Sequence, residues 1–218
     1  TAYEITYGDW SSDVCSSDLN EVRVYNHKIY ALSGTNAASA VSGINITSGT
    51  LTNVFNNYVG GLSATSSTNL NALIGVNVSG GTAVNLYYNT INLTGTGGGA
   101  TFGTSGIYAA TTPTLTMNNN LVTNTSNYAG AGGYTVAYRR ASGTAGTVPS
   151  TYATSSNNNL FYAGTPSATN LIYLEGNTAT VTNPIQTMGA YKTFMATRDQ
   201  GSQSENVSSF FASTTGSD

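Results

Sequence analysis

The sequence predicts an all-β solenoid of about five stacked parallel coils, followed by a short helix near the C-terminus. Three observations carry that expectation: two motifs recur at nearly one interval, each motif alternates, and the composition supplies β formers. The first motif reads VRVYNHKI (22–29), TNVFNNYV (52–59), VNLYYNTI (84–91), LTMNNNLV (115–122) and TSSNNNLF (154–161). It aligns His27, Asn57, Asn89, Asn120 and Asn159 in one column with steps of 30, 32, 31 and 39 residues. The second reads GINI (43–46), GVNV (75–78), GIYA (106–109), TVAY (135–138) and LIYL (171–174), with Ile44, Val76, Ile107, Val136 and Ile172 in register. Units of about 31 residues with short strands cannot bury a face alone, but stacked on one another they bury a continuous core.

Taken in order, the chain begins with a segment unlike the rest. TAYEITYGDWSSDVCSSDL (1–19) holds the only Trp, Trp10, the only Cys, Cys15, and a cluster of acids. It has no strand alternation. Residue by residue, Asp9 through Leu19 resemble the translated reading frame of a common sequencing-library adapter. Thr1–Ile5 resemble its outer primer site, and Thr6 and Tyr7 a sample index. The protein's own sequence is therefore expected to begin at Asn20. Without residues 1–19 the acids fall from 9 to five against 6 Lys and Arg, so the formal net charge of −3 says nothing about partners. With no initiator Met and no basic-then-apolar leader, the chain is expected to be a fragment.

The coils are expected to occupy residues 20–183. In the first motif Val22/Val24, Thr52/Val54, Val84/Leu86, Leu115/Met117 and Thr154/Ser156 share one face, and the intervening residues share the other. A period of two means strands. The polar drift of that face in the last coil implies a core that tapers. Asn recurs where the first strand turns, where its side chain tolerates left-handed backbone and can bond from coil to coil. The glycines before Ile44, Val76 and Ile107 mark a bend or a close backbone approach. TGTGGGATFGTSG (94–106) reads as a projecting loop. Over 184–218, Thr187 would cap a helix bearing Met188, Tyr191 and Met195 on one face, before a final strand and cap segment that FFASTTGSD leaves truncated.

NLYYNTINLTG, SGIYAATT and LTMNNNLVTNTS resemble the Asn/Thr/Gly-rich repeats of the right-handed parallel β-helix, or pectin-lyase-like, family of secreted bacterial proteins. The resemblance spans about residues 20–215. It implies a right-handed solenoid and an extracellular or cell-surface location. Many members of the family are polysaccharide lyases or hydrolases, which use carboxylates for calcium or for acid–base work.

No such constellation is legible here. Outside residues 1–19 the acids are Glu21, Glu175, Asp199, Glu205 and Asp218, and no column of the repeat holds two of them. No catalytic residue, metal ligand or cofactor is assigned. His27 stands in the Asn column and reads as a turn or ladder residue. Arg139 and Arg140 read as a solvated strand end. Six basic residues spread along the chain make no nucleic-acid footprint, and no apolar run approaches the roughly 20 residues of a membrane span. What remains is a column of outward aromatics on adjacent coils, Tyr25, Phe55 and Tyr87, with Tyr108 and Tyr173 outward in the second strand set. Such a column either stabilises the sheet as a ladder or stacks on sugar rings. The expected role is a non-catalytic structural or adhesive segment, monomeric, with glycans or other cell-surface components as partners. The alternatives are a carbohydrate-binding module and a remnant of a polysaccharide lyase or hydrolase.

Overall fold

A computed structural model describes residues 21–128, 132–176, 181–207 and 211. Residues 1–19, with Trp10 and Cys15, lie outside the described residues, as does most of FFASTTGSD. The described chain is a parallel β-solenoid of about five turns. The first coil supplies β1 (Val22–Tyr25), β2 (Lys28–Ile29) and β3 (Val41–Ile46), and the second β4 (Leu51–Phe55), β5 (Tyr58–Gly60) and β6 (Leu73–Val78). The third supplies β7 (Ala83–Tyr87), β8 (Thr90–Leu93), β9 (Thr96–Gly97) and β10 (Thr104–Ala109). The fourth supplies β11 (Thr114–Asn118), β12 (Leu121–Asn124), β13 (Asn127–Tyr128) and β14 (Thr135–Arg140). The fifth supplies β15 (Leu160–Tyr162) and β16 (Asn170–Glu175), followed by β17 (Thr182–Ile185) and helix α1 (Met188–Met195).

Three parallel sheets run along the stack. The first has the order β1-β4-β7-β11, the second β2-β5-β8-β12-β15, and the third β3-β6-β10-β14-β16. The first sequence motif thus bends at its Asn column and feeds two sheets rather than one. Registers follow the sequence columns in the first sheet, Val22–Thr52–Val84–Leu115, and in the second, Ile29–Val59–Ile91–Val122–Phe161. In the third sheet, Gly75 lies so close to the second that a Cβ there would stand 2.4 Å from Ile91 Cγ2 and 2.5 Å from the Gly106 carbonyl oxygen.

The later coils depart from the expected columns. Ile107 pairs with Tyr138, and Tyr138 with Tyr173, so Val136 and Ile172 do not share its column. Tyr173 points inward and is fully buried, not outward. In the fifth coil Tyr152 bridges to Leu115 while Thr154 is exposed. The chain bulges between Tyr152 and Ser156, which returns to register by accepting from the Met117 amide. An aromatic ring buries more apolar surface than a threonine, and that gain selects Tyr152 for the interior. The core therefore does not taper. Tyr138, Tyr152, Phe161, Tyr173 and Tyr191 fill its C-terminal end, with ring centroids 5.2–6.2 Å apart. Nor does 94–106 simply project, for β9 pairs with β13 and Phe102 is buried.

Beyond the fifth coil, β17 pairs antiparallel with β16 and ends the parallel run of the third sheet. Thr187 is the N-cap of α1, its hydroxyl accepting from the Ala190 amide, and Tyr191 and Met195 are buried beneath the helix. Among the described residues no helix is long and apolar enough to cross a membrane.

Candidate functional site

The turn between the first two sheets is built from a two-residue pattern repeated in every coil. Its second residue is the expected column. Asn57 Nδ2 donates to Asn89 Oδ1, Asn89 Nδ2 to Asn120 Oδ1 and Asn120 Nδ2 to Asn159 Oδ1, each at 3.0 Å. The same amides also donate to Val24, Val54 and Leu86 carbonyls, and each Oδ1 accepts the backbone N–H of the preceding rung. His27 heads the ladder through its backbone amide, at 3.0 Å from Asn57 Oδ1. These side chains are buried from Asn57 to Asn159 and serve the backbone, which leaves them no capacity for a ligand. Asn89→Ala removes four such bonds and strands the Asn57 backbone N–H, so a loss of about 3 kcal/mol is expected in urea unfolding at neutral pH.

The left-handed conformation falls one residue earlier than the Asn column. Asn26, Asn56, Tyr88, Asn119 and Asn158 have φ between 55 and 58°. Asn adopts this backbone readily, whereas for an ordinary L-residue it costs roughly 1–2 kcal/mol. Tyr88 is the exception in the column, and it is 61% exposed. In the sequence it shows only as one Tyr in a line of Asn, with nothing to mark its backbone angle or exposure.

Beside this corner run the aromatics of the first sheet. Tyr25, Phe55 and Tyr87 stand in register on adjacent strands. The Tyr25 and Phe55 rings are parallel within 1° at 5.0 Å, so the faces they turn to each other are occupied. A parallel column of amides flanks them: Asn85 Nδ2 donates to Asn53 Oδ1 at 2.8 Å, and Asn53 donates to Glu21. Glu21 also takes both Arg23 N–H bonds at 2.7 Å, and these with the Asn53 bond hold its carboxyl below the usual carboxylate range. Tyr108 lies on the third sheet, partly buried and away from the column.

Four further charged side chains, Arg139, Arg140, Glu175 and Asp199, are inside. Arg139 and Arg140 are fully buried rather than solvated. Arg139 donates to the Gly176 and Leu70 carbonyls, and burial lowers its guanidinium pKa to about 10. Arg140 bonds the Tyr138 hydroxyl and Thr151. Glu175 is sealed in the same region, accepting from the Tyr173 hydroxyl at 2.6 Å and from Asn183. Asp199, also fully buried, ends the amide ladder. Its Oδ1 accepts Asn159 Nδ2 at 2.9 Å and Ser202 Oγ at 2.6 Å, while Oδ2 accepts the Tyr152 and Tyr191 hydroxyls at 2.5 and 2.8 Å. Nothing in the sequence announced this role, because Asp199 lies 40 residues from its ladder partner. Carboxylates so enclosed offer a polysaccharide no access. Among the described residues no three His, Cys, Asp or Glu side chains gather to hold a metal ion.

No family model matches the chain, and neither a curated protein nor a solved structure matches it.

Proposed function

We propose that this chain is a non-catalytic structural or adhesive segment of a secreted or cell-surface bacterial protein of the right-handed, pectin-lyase-like β-helix type. The observation that carries the reading is the disposition of charge: Glu175, Asp199, Arg139 and Arg140 are all buried in interior bonds. A lyase or hydrolase needs such groups open to substrate. The stacked sheets instead provide a scaffold whose outer surface carries columns of amides. The test is incubation of the full chain with pectin, polygalacturonate and neutral plant and microbial polysaccharides, with reducing ends measured over a day. No release is expected. Release that Glu175→Gln or Asp199→Asn abolishes would overturn the reading.

A second reading, carbohydrate binding, is favoured by the aromatic column and the amides beside it. Tyr25, Phe55 and Tyr87 would offer ring edges, and the amides would meet hydroxyls. Under this reading, binding on a glycan array falls in Tyr25→Ala and Tyr87→Ala.

A further inference from the structure

Tyr88 holds a backbone conformation that suits the Asn occupying the same turn in the other four coils. With its ring 61% exposed, burial does not compensate that strain. An exposed, strained side chain beside other ligand-type groups points to a role outside folding. The turn also sets Tyr88 apart from the column in which Tyr25 and Phe55 cover each other's faces at 5.0 Å. Its surroundings define the chemistry it would meet. Along the corner on the second to fourth coils stand Phe55, Asn56, Tyr87, Asn118 and Asn119, with no charged side chain among them. The ion pair on this sheet, Arg23–Glu21, is closed on itself at 2.7 Å on the first coil.

We propose that Tyr88 is the stacking platform of a site for a neutral glycan. Its ring receives the C–H face of a pyranose, and the exposed amides of Asn56 and Asn119, one coil to either side, meet the hydroxyls. The proposal rests on the carbohydrate-binding reading and replaces the column by the corner as its main contact.

The experiment uses the full chain, titrated calorimetrically with neutral cello-, xylo-, manno- and chito-oligosaccharides and with acidic oligogalacturonides. Wild type is expected to bind a neutral probe and Tyr88→Phe to bind it equally well. Tyr88→Asn is expected to bind it about tenfold more weakly or worse, the worth of one lost ring contact. The same Tyr88→Asn variant is expected to melt at a higher temperature than wild type, so weak binding cannot be put down to misfolding. Wild-type affinity in Tyr88→Asn, with binding lost in Tyr25→Ala, would refute Tyr88 as the platform while leaving the broader reading intact. A preference for the acidic probes, or no binding by wild type to any neutral probe, would overturn the proposal, and absence of all binding would remove the carbohydrate reading as well.

Discussion

Asp199→Ala is expected to unfasten the C-terminal end of the solenoid, at a cost of about 4 kcal/mol or more, because four buried donors lose one charged acceptor. Those donors are Asn159 Nδ2, Ser202 Oγ and the Tyr152 and Tyr191 hydroxyls. The placement of the carboxylate explains the size of the effect. At Asn89, Asn120 and Asn159 one side-chain oxygen accepts both the backbone N–H and the Nδ2 of the preceding rung. Below Asn159 these roles are divided: Ser202 Oγ takes the backbone N–H at 2.8 Å and Asp199 takes Nδ2 at 2.9 Å. The Gln203 amide then donates to the Asn159 carbonyl as the next coil would. A carboxylate has no N–H to pass on, so the chain of amide donors stops there. Asp199→Asn keeps one oxygen toward Asn159 and presents an NH2 to phenol oxygens that can accept, so it should cost about half as much. Urea unfolding and amide exchange across α1 measure both. A change under about 1 kcal/mol in Asp199→Ala would show that the ladder needs no terminator.

Alkali is expected to unfold the protein steeply above about pH 10, the ordinary phenol value. Burial raises the pKa of Tyr138, Tyr152, Tyr173 and Tyr191 in the folded state, with nearby carboxylates adding to the effect at Tyr152 and Tyr191. Below that pH both folded and unfolded chains keep these protons, and the full stability is present. Above it the unfolded chain releases protons that the folded chain retains, so stability falls as pH rises. The slope is about 1.4 kcal/mol per pH unit for each tyrosine, or roughly 5–6 for the four together. A domain of ordinary stability, about 5–15 kcal/mol, is exhausted within one to three pH units. Phenolate absorbance and far-UV circular dichroism, followed together, should show a phenolate step coincident with loss of β structure. Tyr191→Phe should shrink that step. Complete phenolate formation before any change in circular dichroism would contradict the burial of these rings.

The contrast between the two ends of the chain explains what could be read in advance. In the first three coils, period-two alternation, a constant interval and the Asn column all agree, and the registers Val22–Thr52–Val84 and Ile29–Val59–Ile91 follow from them. In the fourth and fifth coils the sequence offers VPSTYATSS and TVAYRR, where several alignments satisfy alternation equally. Volume decided among them. Placing Tyr138, Tyr152 and Tyr173 inside fills the interior with rings, at the expense of a two-residue bulge before Ser156. The buried arginines follow from that choice, since Arg140 lies two residues beyond Tyr138 on the same face and bonds its hydroxyl at 3.3 Å.

The candidate site divides in the same way. Tyr25, Phe55 and Tyr87 were legible as a column because their spacing is that of the repeat. Tyr88 was not, because its significance lies in a backbone angle and an exposure that spacing does not encode. What the sequence alone determined is therefore the periodic part of the molecule: stacked parallel coils, an Asn ladder, an aromatic column and the capped helix, all expressed in residue types at regular intervals. Tertiary structure alone decided which aromatics turn inward, where the charges are sealed and how the ladder ends at Asp199. Those outcomes depend on filling one closed volume and on pairing buried polar groups between residues far apart in the chain, and neither constraint leaves a local pattern.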